Sequence, residues 1–256
     1  MDLQITGKRA LVLGASRGLG MAIAKSLAAE GVTVFAAARS RDKIEAWAKG
    51  IENVRPVECD LSDLAQVDAL ADSLLSEGGA DIIVNNGGGP PPGSAQAAER
   101  GQWLAHFEAM AANLFHLNTR LLPAMKEKGW GRIISITSSG VEQPIPNLAL
   151  SNGIRSAVVG WSKTLASEVA GDGVTVNVVM PGRIHTQRVD ELDAAAAKRT
   201  QSDVAEVAAK SRATIPAGRY GKPEEFADVV TFLASERASY VTGSRIRIDG
   251  GAIRGI

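Results

Sequence analysis

Three glycines, Gly14, Gly18 and Gly20, punctuate the run LGASRGLG, between an aliphatic stretch at 9–13 and a helical pattern. Glycines there let the chain turn tightly and let a phosphate approach the backbone. The free N–H groups and the positive dipole end of the following helix then attract the anion. The chemistry is the binding of a dinucleotide pyrophosphate; a purely structural turn is the plainer alternative. Downstream, Ser151 and Arg155 stand four apart, a spacing that puts two side chains on one helix face. Ser138 lies 13 residues before Ser151, after another aliphatic run. A serine there is either turn chemistry or a hydroxyl that steadies charge on a reacting oxygen. His106 and His116 are ten apart and lack the spacing of a metal pair. The lone Cys59 can form neither an intrachain disulfide nor a two-thiolate metal site. No metal is expected.

The elements that must hold these residues are legible in the hydrophobic pattern. Runs at 9–13, 32–37, 54–59, 81–85, 132–137, 174–180 and 245–249 read as strands. Most are largely apolar rather than alternating, as in strands covered on both faces. Helical stripes lie between them, such as Leu19, Ile23 and Leu27, then Leu64, Val67, Leu70 and Leu74. Gly31 suits a C-cap, Ser62 an N-cap and Pro223 the first turn of the last helix. Repeated strand–helix–strand units predict an α/β Rossmann-type fold: a doubly wound, parallel seven-stranded sheet with helices on both faces. No linker interrupts 1–256, so one dinucleotide-binding domain is expected. The Ala- and charge-rich stretch at about 187–214 is long for a plain connection and reads as a substrate loop or lid.

Composition narrows the partners. The chain has 256 residues, 45% of them hydrophobic, with 28 Lys plus Arg against 28 Asp plus Glu. Zero net charge argues against nucleic acid or a membrane surface as the main partner. No apolar run nears the roughly 18 residues of a membrane span, and no signal peptide precedes the first motif. A cytoplasmic setting is expected.

Further features join the glycine run. Asp60 sits in CDLSD after the third strand, Asn85-Asn86-Gly87-Gly88 follows the fourth, and Pro181-Gly182 follows the sixth. The chain ends in GRYGKPEEFADVVTFLASERASYVTGSRIRIDGG before its last residues. In this combination and order the chain resembles the short-chain dehydrogenase/reductase family over nearly its whole length. Asn-Asn-Gly-Gly replaces the family's usual Asn-Asn-Ala-Gly. The resemblance implies that Gly14, Ser16, Arg17, Gly18, Leu19 and Gly20 wrap the cofactor phosphates. It places Asp60 and Leu61 beside adenine, Asn86 and Gly87 near the ribose, and Pro181, Gly182, Ile184 and Thr186 at the nicotinamide end. Cofactor choice follows from the second strand, which ends Ala36-Ala37-Ala38-Arg39-Ser40 without the acid that would bind NAD ribose hydroxyls. Arg39 is placed to pair with a 2′-phosphate, a charge-assisted contact. NADP(H) is expected.

The family's reaction end uses a serine, a Tyr-x-x-x-Lys helix and an asparagine on the preceding helix. Counting back from Gly160 puts Arg155 at the lysine position and Ser151 at the tyrosine position, giving Ser-x-x-x-Arg. No tyrosine precedes Tyr220, and Tyr240 is the only other. Arg155 keeps the positive charge that holds the nicotinamide ribose, and Ser138 is unchanged. Ser151 is too short and too weakly acidic to donate a proton directly, but can anchor a water. Met110 falls at the asparagine position, with Asn113 about one turn further on.

These residues are expected to make an NADP(H)-dependent oxidoreductase for a small-molecule substrate, an activated carbonyl or conjugated acceptor that needs little acid help. The alternatives are a catalytically silent NADP(H)-binding protein and, less favoured, a lyase or isomerase. The resemblance also implies a homodimer or homotetramer, with Trp103, Phe107, Trp161 and Leu165 on the pairing helices.

Overall fold

Along β1 (Arg9–Leu13) successive side chains bury themselves in opposite directions. Ala10 and Val12 enter one apolar layer, and Leu11 and Leu13 enter the other. The same division holds in β2 (Thr33–Ala38), where Val34 and Ala36 oppose Phe35 and Ala37. It holds again in β4 (Ile82–Asn85) and β5 (Gly131–Ile136). A strand buried on both faces has no polar side to show, which is why these runs are continuously aliphatic. With β3 (Val54–Glu58), β6 (Val174–Pro181) and β7 (Arg245–Ile248) they make one parallel seven-stranded sheet, ordered β3-β2-β1-β4-β5-β6-β7. The structure, a computed structural model, describes residues 1–255.

Helices cover both faces. α1 (Gly18–Ala29), α2 (Arg41–Ala48) and α9 (Pro223–Leu233) pack on one side through Ile23, Leu27, Ile44, Phe226 and Val230. α3 (Leu64–Ser76), α5 (Asn113–Glu127) and α6 (Ala149–Val169) cover the other, with Leu70, Leu74, Leu117, Leu121 and Val169 buried. The seven expected strands fall within one residue of those observed. Pro223 opens α9 as expected, and Gly31 follows α1 at φ +77°. The cap of α3 is Asp63 rather than Ser62: the Asp63 carboxylate accepts from the N–H groups of Ala65 and Gln66, while Ser62 hydrogen-bonds Asp60. The 187–214 stretch forms α7 (Gln187–Thr200) and α8 (Val204–Ala213). A further helix, α4 (Arg100–Phe107), runs through a π-helical turn at Glu108–Ala112 into α5. Among the described residues no helix is long and apolar enough to cross a membrane.

Strand order reverses between β1 and β4, so their carboxyl ends open a crevice, the usual ligand position of such sheets. A buried polar knot braces that crevice from below. Asn85 and Asn118 exchange amide hydrogen bonds at 2.9 and 3.3 Å, and Asn85 also donates to Ser135 Oγ at 3.2 Å. Asn118 donates as well to the Leu114 carbonyl within α5. Replacing Asn118 with Ala strands the Asn85 amide in the core. That substitution should lower stability by about 1–3 kcal/mol, a fall in Tm of about 2–10 °C by thermal denaturation. An unchanged Tm would show that the knot carries no load.

Candidate active site

The glycine run forms a cradle between β1 and α1. Gly14 and Gly18 adopt φ of +62° and +58°, which other residues rarely take. A Cβ on Gly14 would stand 2.5 Å from the Asn86 carbonyl oxygen, and one on Gly20 would stand 2.3 Å from the Gly14 carbonyl. Asn86 closes the cradle from β4, donating its amide to the carbonyls of Leu13 (3.1 Å) and Gly14 (3.4 Å). Trp47 Nε1 fixes the loop's outer side by donating to the Ala15 carbonyl at 3.1 Å. No acidic side chain occupies the first turn of α1, and its N-terminal N–H groups have no side-chain cap. The residues present therefore fit a phosphate-bearing dinucleotide, because only glycine allows this backbone to pack and still leave its donors exposed.

The other expected cofactor residues lie along the same crevice. Leu61 packs beside Gly87, with 3.8 Å between its Cδ1 and a Cβ built on Gly87. The Asp60 carboxylate accepts from Ser62 N–H and Oγ, which holds its pKa below the usual carboxylate value, with Arg39 adding to the shift. Arg39 is exposed and makes no hydrogen bond or ion pair among the described residues. At the far end a Cβ on Gly182 would lie 2.7 Å from Asp249 Cα, so only glycine passes there. Ile184 is buried and pairs with Gly221, and Thr186 Cγ2 approaches Gly18. Ser16 and Leu19 are half-buried in the loop.

Arg17 is the exception. Its Nη1 turns toward α7 and donates to Glu191 Oε1 at 3.0 Å, so in this form it serves the 187–214 segment rather than the cradle alone. Nothing in the local sequence marks Glu191 as its partner. Arg183 and His185 also face that segment, pairing with Asp193 (3.2 Å) and Asp190 (3.1 Å).

Ser138 caps the short turn Ser139–Val141, its Oγ accepting from Gly140 N–H at 3.0 Å. That bond uses a lone pair and leaves the O–H free to donate. A Cβ on Gly140 would lie 2.5 Å from Asn152 Oδ1 and 3.3 Å from Ser138 Oγ. The loop carrying Ser138 therefore packs directly on the first turn of α6, which carries Ser151. Ser151 is half-buried.

Arg155 reaches back to the end of β5, donating from Nη1 to the Ile136 carbonyl at 2.9 Å. It lines a small cavity of about 20 Å³ with Asn85, Gly87, Gly88, Met110 and Val158, room for about one water. No carboxylate lies within ion-pair distance of it among the described residues. Burial pushes its pKa down to about 10. Met110 fills this wall with its apolar side chain. Asn113 does not face it: its amide donates to the Leu61 carbonyl at 2.8 Å, across to the β3 side. Asn113 cannot then stand in for the asparagine of the family's set. The π turn just before it, invisible to residue counting, re-aims this part of the helix.

Among the described residues no cluster of three or more His, Cys, Asp or Glu is arranged for a metal ion. Cys59 is buried, its thiol pushed up to about 11 by burial and the nearby Asp60.

A half-buried guanidinium without a counter-ion gives up hydration and gains no ion pair in return. Arg155→Met should leave the ligand-free protein at least as stable in denaturant titration, since no ion pair is lost and a partly desolvated charge is removed. The same change should weaken dinucleotide binding. A destabilised variant would mean that Arg155 is a structural pin for β5.

A family model described as Enoyl-(Acyl carrier protein) reductase matches residues 14–252. The 3-oxoacyl-[acyl-carrier-protein] reductase FabG of Escherichia coli (strain K12) is 36% identical over 253 residues, covering 97% of this chain and 98% of that protein. Among solved structures, L-sorbose reductase from Gluconobacter frateurii, complexed with NADPH and L-sorbose, superposes with a TM-score of 0.94. It is 33% identical, with full coverage of both chains. YwfH, an NADPH-dependent reductase involved in bacilysin biosynthesis, gives a TM-score of 0.92 at 30% identity, covering 97% of this chain and 99% of that one.

Proposed function

The chain belongs to the short-chain dehydrogenase/reductase family, and on that premise we propose that it is an NADP(H)-dependent oxidoreductase that reduces an activated carbonyl or conjugated acceptor without a tyrosine acid. The observation that carries the unusual part is Arg155. An unpaired cation faces Asn85, Gly87 and Gly88 in the crevice, while the same helix face offers Ser151 in place of a phenol.

The cofactor is NADP(H). The NADPH complex of the sorbose reductase supports this, as does the free Arg39 beyond a β2 end that carries no acid. The cradle and the α1 N-terminus would hold its phosphates, Arg39 its 2′-phosphate, and Arg155 its nicotinamide ribose. Pro181, Gly182, Ile184 and Thr186 would border the nicotinamide. When bound, NADPH supplies a hydride to the substrate.

The protein's own residues manage the charge that results. Ser138 donates a hydrogen bond to the substrate oxygen as negative charge gathers there. Arg155 keeps a positive charge nearby in a poorly hydrated setting, where it counts for more than in water. Ser151 holds a water that delivers the proton. A substrate that spreads its own charge, such as an enone or activated ketone, needs least from that relay. The helices α7 and α8 act as the lid of a single domain, tied to the cofactor loops by Arg17–Glu191 and Arg183–Asp193. The lone reduced Cys59 is consistent with a cytoplasmic enzyme. For the proposed homodimer or homotetramer, Phe107 is exposed while Trp161 stacks on Phe115.

Two measurements test this reading. NADPH oxidation should be seen with enones and activated ketones, and simple ketones should be slower by about 10²–10⁴, the usual worth of a general acid. No turnover of any acceptor, with NADPH still bound, would favour the silent cofactor-binding protein. Freeing Arg17 by Glu191→Gln should tighten NADPH binding about 3–10-fold, since a surface ion pair is worth about 1 kcal/mol. Fluorescence titration reads it, and unchanged affinity would detach Arg17 from the cofactor.

A further inference from the structure

A second cavity, about 340 Å³, is lined by α7, α8, His185 of the loop after β6 and the segment that leads into α9, and shares no lining residue with the cavity at Arg155. Its acidic groups are already satisfied. The Asp190 carboxylate pairs with His185 at 3.1 Å. The buried Asp193 accepts from Tyr220 Oη at 2.7 Å and from Arg183 at 3.2 Å. Burial raises the pKa of that phenol, keeping it a neutral donor. Its basic groups are less fully engaged: Glu225 lies near enough to Lys222 for the ammonium to help hold that acid's pKa down, but the carboxylate is taken up by Arg219. Neither the Arg212 guanidinium nor the Lys222 ammonium makes a hydrogen bond or ion pair from its side chain among the described residues.

A cation in the last turn of a helix ordinarily serves the helix dipole, and Arg212 sits there on α8. Two features go beyond that role. Arg212 lies over the Tyr220 ring, 5.6 Å from its centroid, which holds it against the cavity wall rather than in open water. Lys222 comes from a different element, the residue just before α9, and lines the same cavity. The remaining wall is apolar, from Val204 and Ala208, and Val204 is 47% exposed. The volume falls within the range of small-molecule sites, which start at about 300 Å³.

We propose that this cavity is a second ligand site, for a small organic anion. A carboxylate or phosphate group is held between Arg212 and Lys222, and a short apolar body lies on Val204 and Ala208. Occupancy joins α8 to Tyr220–Lys222. Through the Ile184–Gly221 pairing it reaches the loop after β6, so the bound anion steadies the 187–214 helices from behind. The site does not depend on the redox reading and stands if that reading fails.

The test is isothermal titration of the whole protein with butyl phosphate, butyrate, inorganic phosphate and butanol, each with and without saturating NADPH. Butyl phosphate or butyrate should bind under both conditions, and more tightly than inorganic phosphate or butanol. The Arg212→Ala/Lys222→Ala double variant should lose about tenfold or more in that affinity, while its NADPH affinity stays unchanged. Val204→Asp, which sets a carboxylate at the cavity mouth on an exposed first-turn position, should abolish anion binding without loss of Tm. It serves if the double variant fails to fold. Absence of binding by either butyl anion, binding abolished by NADPH, or binding unchanged in both variants would each overturn the proposal. So would inorganic phosphate binding as tightly as butyl phosphate.

Discussion

The side-chain amide of Asn86 is the tie on which the crevice depends. It crosses from the end of β4 to the carbonyls of Leu13 and Gly14 and fixes the two strand ends where sheet order reverses. With that bond made, the chain has no room for a Cβ at Gly14 or Gly20. The glycine loop is therefore tied in place without any ligand, and the α1 N-terminus carries no side-chain cap. Preorganised donors lose little on binding, which is what an anion-binding loop needs. The Asn85–Asn118–Ser135 knot extends the same logic one layer down, bracing β4 against β5 and α5.

Against this satisfied scaffold, the reaction end stands out for what it leaves open. Arg155 is half-buried, uses one bond to a main-chain carbonyl and has no carboxylate within ion-pair distance among the described residues. Elsewhere enclosed charges are paired: Arg132 bonds Ser235 and Glu236, and Asp81 pairs with Lys128. The scaffold neutralises its buried ions Arg132 and Asp81 and leaves half-buried Arg155 bare, which on the proposed reading is where the cofactor ribose completes the electrostatics. The apolar Met110 on the same wall sharpens this, because it offers the cation no relief.

The 187–214 helices sit between two sets of charges. Glu191 holds Arg17 of the phosphate loop, and Asp193 holds Arg183 and Tyr220. The lone stretch that interrupts the strand–helix alternation is thus wired to both the cofactor loop and the base of α9. The exposed Arg17–Glu191 pair is weak by itself. Asp193, buried against Arg183 and Tyr220, is the fixed point.

How much was legible followed from how local each cause was. Strand faces, the glycine loop and the entry of α9 at Pro223 are written in short-range pattern, and they stand within a residue of expectation. The cap at Asp63 was missed in favour of Ser62 because two adjacent polar residues compete for the role. Only the turn at Asp60, which takes up Ser62, decides between them. Where Asn113 faces is not legible by counting along a helix, which assumes a uniform period, and the π turn at Glu108–Ala112 breaks it.

By itself the sequence determined the order of elements, the family resemblance, and which residue types fall by count at the positions of the family's reaction end: Ser138, Ser151, Arg155 and no tyrosine. Those are properties of the chain's own spacing. Which charges remain free was decided only by tertiary structure. Arg17 and Arg39 look alike in the sequence, yet Arg17 meets Glu191 from α7, 174 residues away. Arg39 meets no acid close enough to pair with it. Coulombic pairing acts over a few ångströms of space, and distance along the chain does not limit it.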